Sequence, residues 1–412
     1  STPAILRLSH WGYIDLVITF YTTAALLCLL RWREDRSARS WLVLGALSLG
    51  FALATKPNGL VAALVLAFLV AWTIAKTESR SLGKIFGELS LFGGVALLPF
   101  LPWGAKNWWQ TGNPFFPLLG NFFGGYSAAP GAAVGFGELG IFAKRELLYQ
   151  ENIWQILALP LRVFFAGQDD SPQFFDGVLT PVLIAFLPWA FKGKWLEEKK
   201  FLAGFALLFF AYALLLVELR IRYILVIVPP LAALLIYGVF NVYLRIKRPV
   251  YLFAPLLFFA AWQGSYLWRY FAAAEPLEYL TGRESREDYL MRMLPEYAAF
   301  RYIERETPPS AKIYLLFIGR RAYYCERDYF HDSGDLPGYL LGVIRNAKGS
   351  GDVERALRQL RISHLMMRGD LLAAFLGNNL TPDQTKIWNE FASTRLKPAF
   401  GERGYSVFRL DG

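Results

Sequence analysis

Leu101–Tyr126 reads LPWGAKNWWQTGNPFFPLLGNFFGGY, the point at which a long apolar segment stops and an aromatic, Pro- and Gly-rich loop begins. Trp103, Trp108 and Trp109 have amphipathic rings that favour the headgroup level of a bilayer, while Pro102, Pro114, Pro117 and the glycines disfavour a continuing regular helix. The stretch predicts that the chain leaves a membrane here. Lys106, Asn107, Gln110, Thr111 and Asn113 place one cation and several hydrogen-bonding groups at that exit, which suits a polar or anionic headgroup held at the lipid boundary. A plain interfacial anchor accounts for the same aromatic residues.

Working outward, the chain has 412 residues, 55% of them hydrophobic, 17% aromatic and 18% charged, with mean hydropathy +0.32. In a soluble protein the apolar residues would fall in periodic stripes; here they come in blocks of roughly 20, the length that crosses a hydrocarbon core. A polytopic membrane protein follows. The net charge of +10 and pI near 9.4 do not imply nucleic acid, because the cations sit mostly in short loops between apolar blocks, where membrane orientation explains them. Cys28 lies in an apolar block and Cys325 in a polar region, so no disulfide framework or zinc site is implied. His10, His331 and His364 all lie outside the middle of the apolar spans, which argues against intramembrane haem ligation. The opening STPAILRLSH contains neither an initiator Met nor a signal peptide, and an upstream part is expected.

Eight apolar segments can be marked: Trp11–Leu30, Trp41–Thr55, Leu60–Ala75, Ile85–Trp103, Phe174–Phe191, Phe201–Val217, Tyr223–Tyr243 and Val250–Phe271. Arg31, Arg33, Arg36 and Arg39, then Lys76, Arg80 and Lys84, then Lys192, Lys194, Lys199 and Lys200, then Arg245, Lys247 and Arg248 give fourteen cations on one side. Arg7, Lys56, Lys106, Lys144, Arg145, Arg162, Arg220 and Arg222 give eight on the other, so the first side is expected to be cytoplasmic. Residues 1–271 then form a membrane domain with an external amphipathic loop at 104–173. Between Ala128 and Ser171, apolar residues such as Ile153, Trp154, Leu157 and Leu161 alternate with Lys144, Arg145, Glu146, Glu151 and Arg162, the pattern of helices lying along a membrane face or packed on neighbouring spans. Asp169 and Asp170 read as a solvated turn in preference to a metal site.

After Phe271 the composition changes. Ile313–Ile318 and Ser363–Met367 look like strands, Val353–Leu360 and Pro382–Thr394 like helices, and Tyr405–Leu410 like a final strand. Residues 272–412 are therefore expected to form a small extracytoplasmic α/β domain. The predicted fold class is mostly α, a polytopic helical membrane bundle of about eight spans with that domain at its C-terminal end.

The outer ends of the spans carry groups that are costly at a membrane edge. Asp15 stands at the start of the first block in HWGYIDLVITF, where a carboxylate needs a partner or a purpose: metal ligand, general base, orienter of an acceptor, or a hydrogen-bonded structural group. Lys56 sits in the hairpin ATKPNGL, whose turn needs Pro57, Asn58 and Gly59 but not the lysine, so it invites an anionic partner. Arg220 and Arg222 lie two apart in ELRIRYILVIVPP, a spacing that in a strand or turn aims both guanidinium groups at one phosphate or carboxylate; pairing of Arg220 with Glu218 is the alternative. Tyr223 adds a hydroxyl at the same level. Lys56, Lys106, Arg220 and Arg222 are expected to converge on one outer surface, where they would hold a lipid-linked phosphate.

These segments resemble the bacterial GT-C glycosyltransferases of the protein O-mannosyltransferase and aminoarabinose-transferase group. GYIDLVITFYTTAALLCLLRW is similar to their first conserved helix, GFALATKPNGL to their hairpin, KNWWQTGNPFFPL to their exit loop with Lys106 where Arg is commoner, and ELRIRYILVIVPPLAALL to a later helix. The resemblance implies transfer of a sugar from a polyprenyl-phosphate donor on the extracytoplasmic face of a bacterial inner membrane. It implies Asp15 as an acidic residue near the site, Lys56 and Arg222 on the donor phosphate, and Asn107 with Asn113 shaping the exit loop. It leaves the cofactor open, a divalent cation being one option. In this group the leading catalytic acid lies in the first external loop, upstream of Ser1. Three readings follow: a glycosyltransferase; a non-catalytic subunit that binds membrane lipid or scaffolds a complex with an upstream chain or other membrane subunits; and a transporter, disfavoured by the scarcity of charges within the later spans.

Overall fold

The computed structural model describes residues 2–77, 82–116, 119–123, 141–319, 321–331 and 337–411. Pro117, positions 124–126 of the opening stretch, and the front of the expected external segment at 128–140 lie outside the described residues. The chain divides near Tyr270 into two compact units.

Among the described residues six helices are long and apolar enough to cross a membrane: Asp15–Glu34, Gly59–Lys76, Leu82–Thr111, Leu196–Leu216, Ile221–Tyr243 and Val250–Ala274. In chain order the elements are α1 (Pro3–Ser9), α2 (Asp15–Glu34), α3 (Arg39–Thr55), α4 (Gly59–Thr77), α5 (Leu82–Leu97), α6 (Leu101–Thr111), α7 (Gly120–Phe123), α8 (Ile141–Tyr149), α9 (Ile153–Leu157), α10 (Leu159–Phe165), α11 (Val182–Ala185), α12 (Leu187–Ala190), α13 (Leu196–Leu216), α14 (Val228–Tyr243) and α15 (Val250–Ala274). At 17 residues α3 is about 25 Å long, short of a 30 Å core without tilt or thinning. The bundle is therefore a polytopic helical membrane assembly, with one of the eight expected spans, the fifth, replaced by something else.

That replacement is Phe174–Phe191. In place of one helix, a 3-10 turn at Pro172–Phe174 is followed by α11 and α12, four residues each. Pro181 and Pro188 remove backbone donors, and Gly177 takes φ 155, so no continuous ladder forms. Irregular backbone at membrane depth is tolerated only when protein covers it; here Phe175, Leu179, Val182, Leu183 and Ala190 are buried, and α14 packs against both short helices. A Cβ at Gly238 of α14 would lie 2.3 Å from the Phe186 carbonyl oxygen, so only glycine permits this approach.

A second difference concerns the exit. The helix does not stop near Trp103. A 3-10 turn at Leu98–Phe100 joins α5 to α6, and Pro99 and Pro102 occupy opening positions of these elements, where their missing N–H groups would be unpaired in any case. The helix ends at Gly112, whose φ of 71 and N–H to the Trp108 carbonyl at 2.9 Å form a left-handed cap. The end lies about 12 Å beyond Trp103 along the axis.

α2 and α3 pair along small residues. Ile18, Thr22, Ala25, Leu26 and Leu29 line the buried face of α2, against Leu42, Ala46 and Leu49 of α3, while Phe20 and Leu27 face outward. Lipid is as apolar as leucine, so this contact rests on van der Waals fit, and the α3 backbone comes close at Gly45. The helices α9 and α10 bear out an amphipathic reading: Ile153, Trp154, Leu157, Leu161 and Phe165 are exposed, while Ile156, Leu159 and Val163 are buried. Behind them Arg145 grips Glu151 with two hydrogen bonds of 2.6 and 2.8 Å, and Arg162 adds a third at 3.0 Å.

The second unit is a five-stranded mixed sheet with helices. The strands β1 (Lys312–Leu316), β2 (Asp328–His331), β3 (His364–Arg368), β4 (Leu396–Glu402) and β5 (Tyr405–Leu410) take the order β2-β1-β3-β5-β4. β1 is parallel to β2 and β3, and β5 is antiparallel to β3 and β4. Tyr314, Leu316, Leu365 and Met367 bury into one core and Ile313, Leu315, Met366 and Val407 into another, which is why β1 and β3 read as continuous apolar runs. Arg403 and Gly404, both at positive φ, make the tight turn from β4 to β5.

Candidate functional site

The hairpin between α3 and α4 fixes the first cation. α3 ends at Thr55, Lys56 turns extended at φ −162, and the Gly59 N–H closes the turn on the Lys56 carbonyl at 2.9 Å. A Cβ at Gly59 would lie 2.5 Å from the Ala52 carbonyl oxygen, so the turn demands glycine. It directs the Lys56 ammonium to Asp15 Oδ1, 2.7 Å away at the first residue of α2. Asp15 is buried, 4% exposed, whereas the lysine side chain is 25% exposed. Asp15 Oδ2 is also buried and has no hydrogen-bond partner among the described residues.

Arg222 and Tyr223 come from the 3-10 helix Ile221–Ile227, which packs on α2. The Arg222 guanidinium carbon lies 4.7 Å from the Tyr13 ring centre and 4.9 Å from that of Tyr223, and Nη2 donates to the Tyr223 hydroxyl at 3.1 Å. Lys56 Nζ lies 4.9 Å from the same Tyr223 ring. Tyr223 thus touches both cations. Among the described residues Asp15 is the only carboxylate joined to them, so the group Asp15, Lys56 and Arg222 carries a surplus of one positive charge, and Arg222 Nε has no partner there.

The remaining expected residues do not join this group. Arg220 is the extended residue that caps the 3-10 helix and Arg222 lies within it, and the two find different partners: Arg220 bonds Glu218 at 3.2 Å and approaches Asp176 at 3.8 Å. Lys106 lies over Trp103, 4.9 Å from its ring centre, one turn along the same helix. Asn107 donates to the Pro114 and Phe116 carbonyls at 3.3 and 3.4 Å, and Asn113, 1% exposed, accepts from the Phe115 N–H at 2.9 Å. Both asparagines hold the loop to itself. The expected convergence of four cations is thereby corrected to two, Lys56 and Arg222, because helix continuation through Thr111 leaves Lys106 over Trp103 and Arg220 is held by Glu218 and Asp176.

Sequence reasoning missed Tyr13 and an adjoining network. Arg7, 3% exposed, bonds Asp169 at 2.8 Å and Asp170 at 2.7 Å and lies 3.7 Å from Asp176. Tyr266 donates to the second oxygen of Asp169. Tyr149 donates to Glu218 at 3.0 Å; burial, and then that carboxylate, push its hydroxyl up to about 12. Asp170 remains solvent-facing, but Asp169 is drawn inward by Arg7, so the pair is more than a solvated turn. The available signal was Arg7 itself, a cation on the side poorer in them and the first in the chain. Among the described residues no group of three or more His, Cys, Asp and Glu is placed to hold a metal ion.

Residues 2–110 match the family described as dolichyl-phosphate-mannose-protein mannosyltransferase. The match includes Asp15, Lys56, Lys106 and Asn107 and ends well before Arg222. No curated protein sequence matches the chain. Among solved structures, the archaeal oligosaccharyltransferase AglB from Archaeoglobus fulgidus, in complex with an inhibitory peptide and a dolichol-phosphate, is similar with a TM-score of 0.44 and 13% identity, over 86% of this chain and 52% of that one. The chain spans about half the length of that structure.

Proposed function

We propose that this chain binds a polyprenyl-phosphate-linked sugar at the rim of its helical bundle and transfers the sugar to an acceptor on the extracytoplasmic face. The observation that carries this reading is the joining of Asp15, Lys56 and Arg222 at helix ends, with a surplus positive charge and a free carboxylate oxygen. Similarity of residues 2–110 to a lipid-phosphate-dependent mannosyltransferase family supports it.

The chemistry follows from the parts. An acceptor hydroxyl or amine attacks the anomeric carbon, its proton passes to Asp15 Oδ2, and the bond from that carbon to the phosphate oxygen breaks. Negative charge then grows on the lipid phosphate. Arg222, with an unpaired Nε, and Lys56, exchanging Asp15 for phosphate, neutralise it where little water competes. Tyr223 holds the two cations at one level, so the phosphate meets both.

A second reading, a membrane subunit that binds a lipid phosphate without transfer, is favoured by one observation: Asp15 Oδ1 is already engaged by the Lys56 ammonium at 2.7 Å, a contact that a purely structural carboxylate would make. Reconstituted protein given a radiolabelled polyprenyl-phosphate sugar separates the two. Loss of label from the lipid in the wild type but not in Asp15→Asn, with binding intact in both, supports transfer; binding without turnover in the wild type supports the subunit.

A further inference from the structure

A slot of about 390 Å³ runs along α13, floored by Ala203 and Leu207 and walled by α12 and α14. Its size falls within the range of ligand pockets, and every lining residue except Lys200 is apolar. One end is marked by Lys200, whose side chain is 55% exposed; Phe210, Phe164 and Ile227 line the other. From Lys200 to Phe210 is ten residues of helix, about 15 Å. That is half of a hydrocarbon core of about 30 Å, the depth of one leaflet.

The Lys200 mouth is also the basic end of the bundle. Lys76 and Lys200 share Glu197, Arg33 Nη1 donates to the Glu197 carbonyl at 3.2 Å, and Lys199 donates to the Lys192 carbonyl at 2.8 Å. Four cations, Arg33, Lys76, Lys199 and Lys200, stand there against two carboxylates, Glu197 and Glu198. An apolar slot one leaflet deep with a surplus of positive charge at its mouth has the dimensions and polarity of a single acyl chain below an anionic headgroup. We infer that this slot is a binding site for an anionic phospholipid of the leaflet on the Lys200 side, one acyl chain lying on Ala203 and Leu207 and the phosphate meeting Lys200. The site is separate from the Asp15, Lys56 and Arg222 group and does not depend on the transfer reading. The tail of a polyprenyl phosphate seated at Arg222 is the competing occupant, entering from the end lined by Phe164 and Ile227, away from the cations at Lys200.

Native mass spectrometry of the detergent-solubilised full chain, incubated with phosphatidylglycerol, phosphatidylcholine or a polyprenyl phosphate, tests this. One phosphatidylglycerol is expected to be retained about fivefold better than phosphatidylcholine, the preference that one lysine near a headgroup supplies. Lys200→Gln, at an exposed position, should remove the preference while leaving both lipids bound, and Ala203→Phe should abolish retention of both. Equal retention of the two phospholipids by the wild type, an unchanged preference in Lys200→Gln, or phosphatidylglycerol retention by a folded Ala203→Phe overturns the inference. So does loss of polyprenyl phosphate alone in Ala203→Phe, which would give the slot to the isoprenoid tail. Should Ala203→Phe not fold, the Lys200→Gln comparison decides by itself.

Discussion

Lys56 Nζ lies 2.7 Å from Asp15 Oδ1, joining the end of α3 to the start of α2 across 41 residues of sequence. The hairpin glycine and the first turn of α2 together aim the two groups, at the ends of two apolar helices. Burial of the carboxylate makes the pair more than a surface ornament, because removing one partner leaves the other charge poorly solvated.

Asp15→Asn is therefore expected to destabilise the bundle by about 1 to 3 kcal/mol, less than for a fully buried pair because Lys56 retains some solvent. Adding Lys56→Gln to it should restore part of that loss. Thermal unfolding in detergent of the two single variants and the double variant measures the coupling; strictly additive losses would mean the contact contributes nothing to the fold.

Gly238 tests the broken segment that replaces the expected span at Phe174–Phe191. A Cβ there meets the Phe186 carbonyl, so Gly238→Val should cost about 1 to 3 kcal/mol through overpacking. Gly264, with open space around its Cβ position, supplies the control: Gly264→Val should leave the melting temperature almost unchanged.

In the C-terminal unit His364 opens β3, buried, with Nδ1 2.9 Å from the Ser363 hydroxyl. Burial, and then the nearby Arg409 charge, hold its imidazolium below the usual value of 6.5. The folded state thus prefers the neutral ring. Its contribution to stability is complete above pH 6.5 and is lost as pH falls from there through the lowered folded value. Chemical denaturation between pH 7.5 and about 5, a window set by the ordinary range of histidine, should show this decline, and His364→Gln should flatten it.

Much of the architecture was legible because lipid imposes simple rules. Long apolar blocks appear as helices at α2, α4, α5, α13, α14 and α15, and buried strands β1 and β3 appear as short apolar runs. Proline was the least transparent signal. Pro102 and Pro188 both stand at the second residue of a helix and Pro181 caps another, yet α6 runs on for 11 residues while α11 and α12 stop after four each, so the prolines alone do not separate the two outcomes. β2 and β4 escaped notice as edge strands: DYFH is short and polar, and Pro398 sits beside a register shift in β4, which an edge tolerates. At the candidate site, Lys56 and Asp15 could be singled out as charges misplaced for their surroundings, but their pairing is a tertiary fact. The separation of Arg220 from Arg222 was hidden for a similar reason: spacing of two aims side chains together on a continuous strand, but here the extended backbone ends at Arg220 and a 3-10 helix begins at Ile221.

That separation supplies the most direct test. Binding of a polyprenyl phosphate to the purified chain should weaken about 10- to 100-fold in Arg222→Ala, the loss of one charge-assisted contact, and change less than about twofold in Arg220→Ala, whose partners are Glu218 and Asp176. Equal affinity of Arg222→Ala and the wild type, with both variants folded, would contradict the claim that Asp15, Lys56 and Arg222 form the seat of a lipid phosphate.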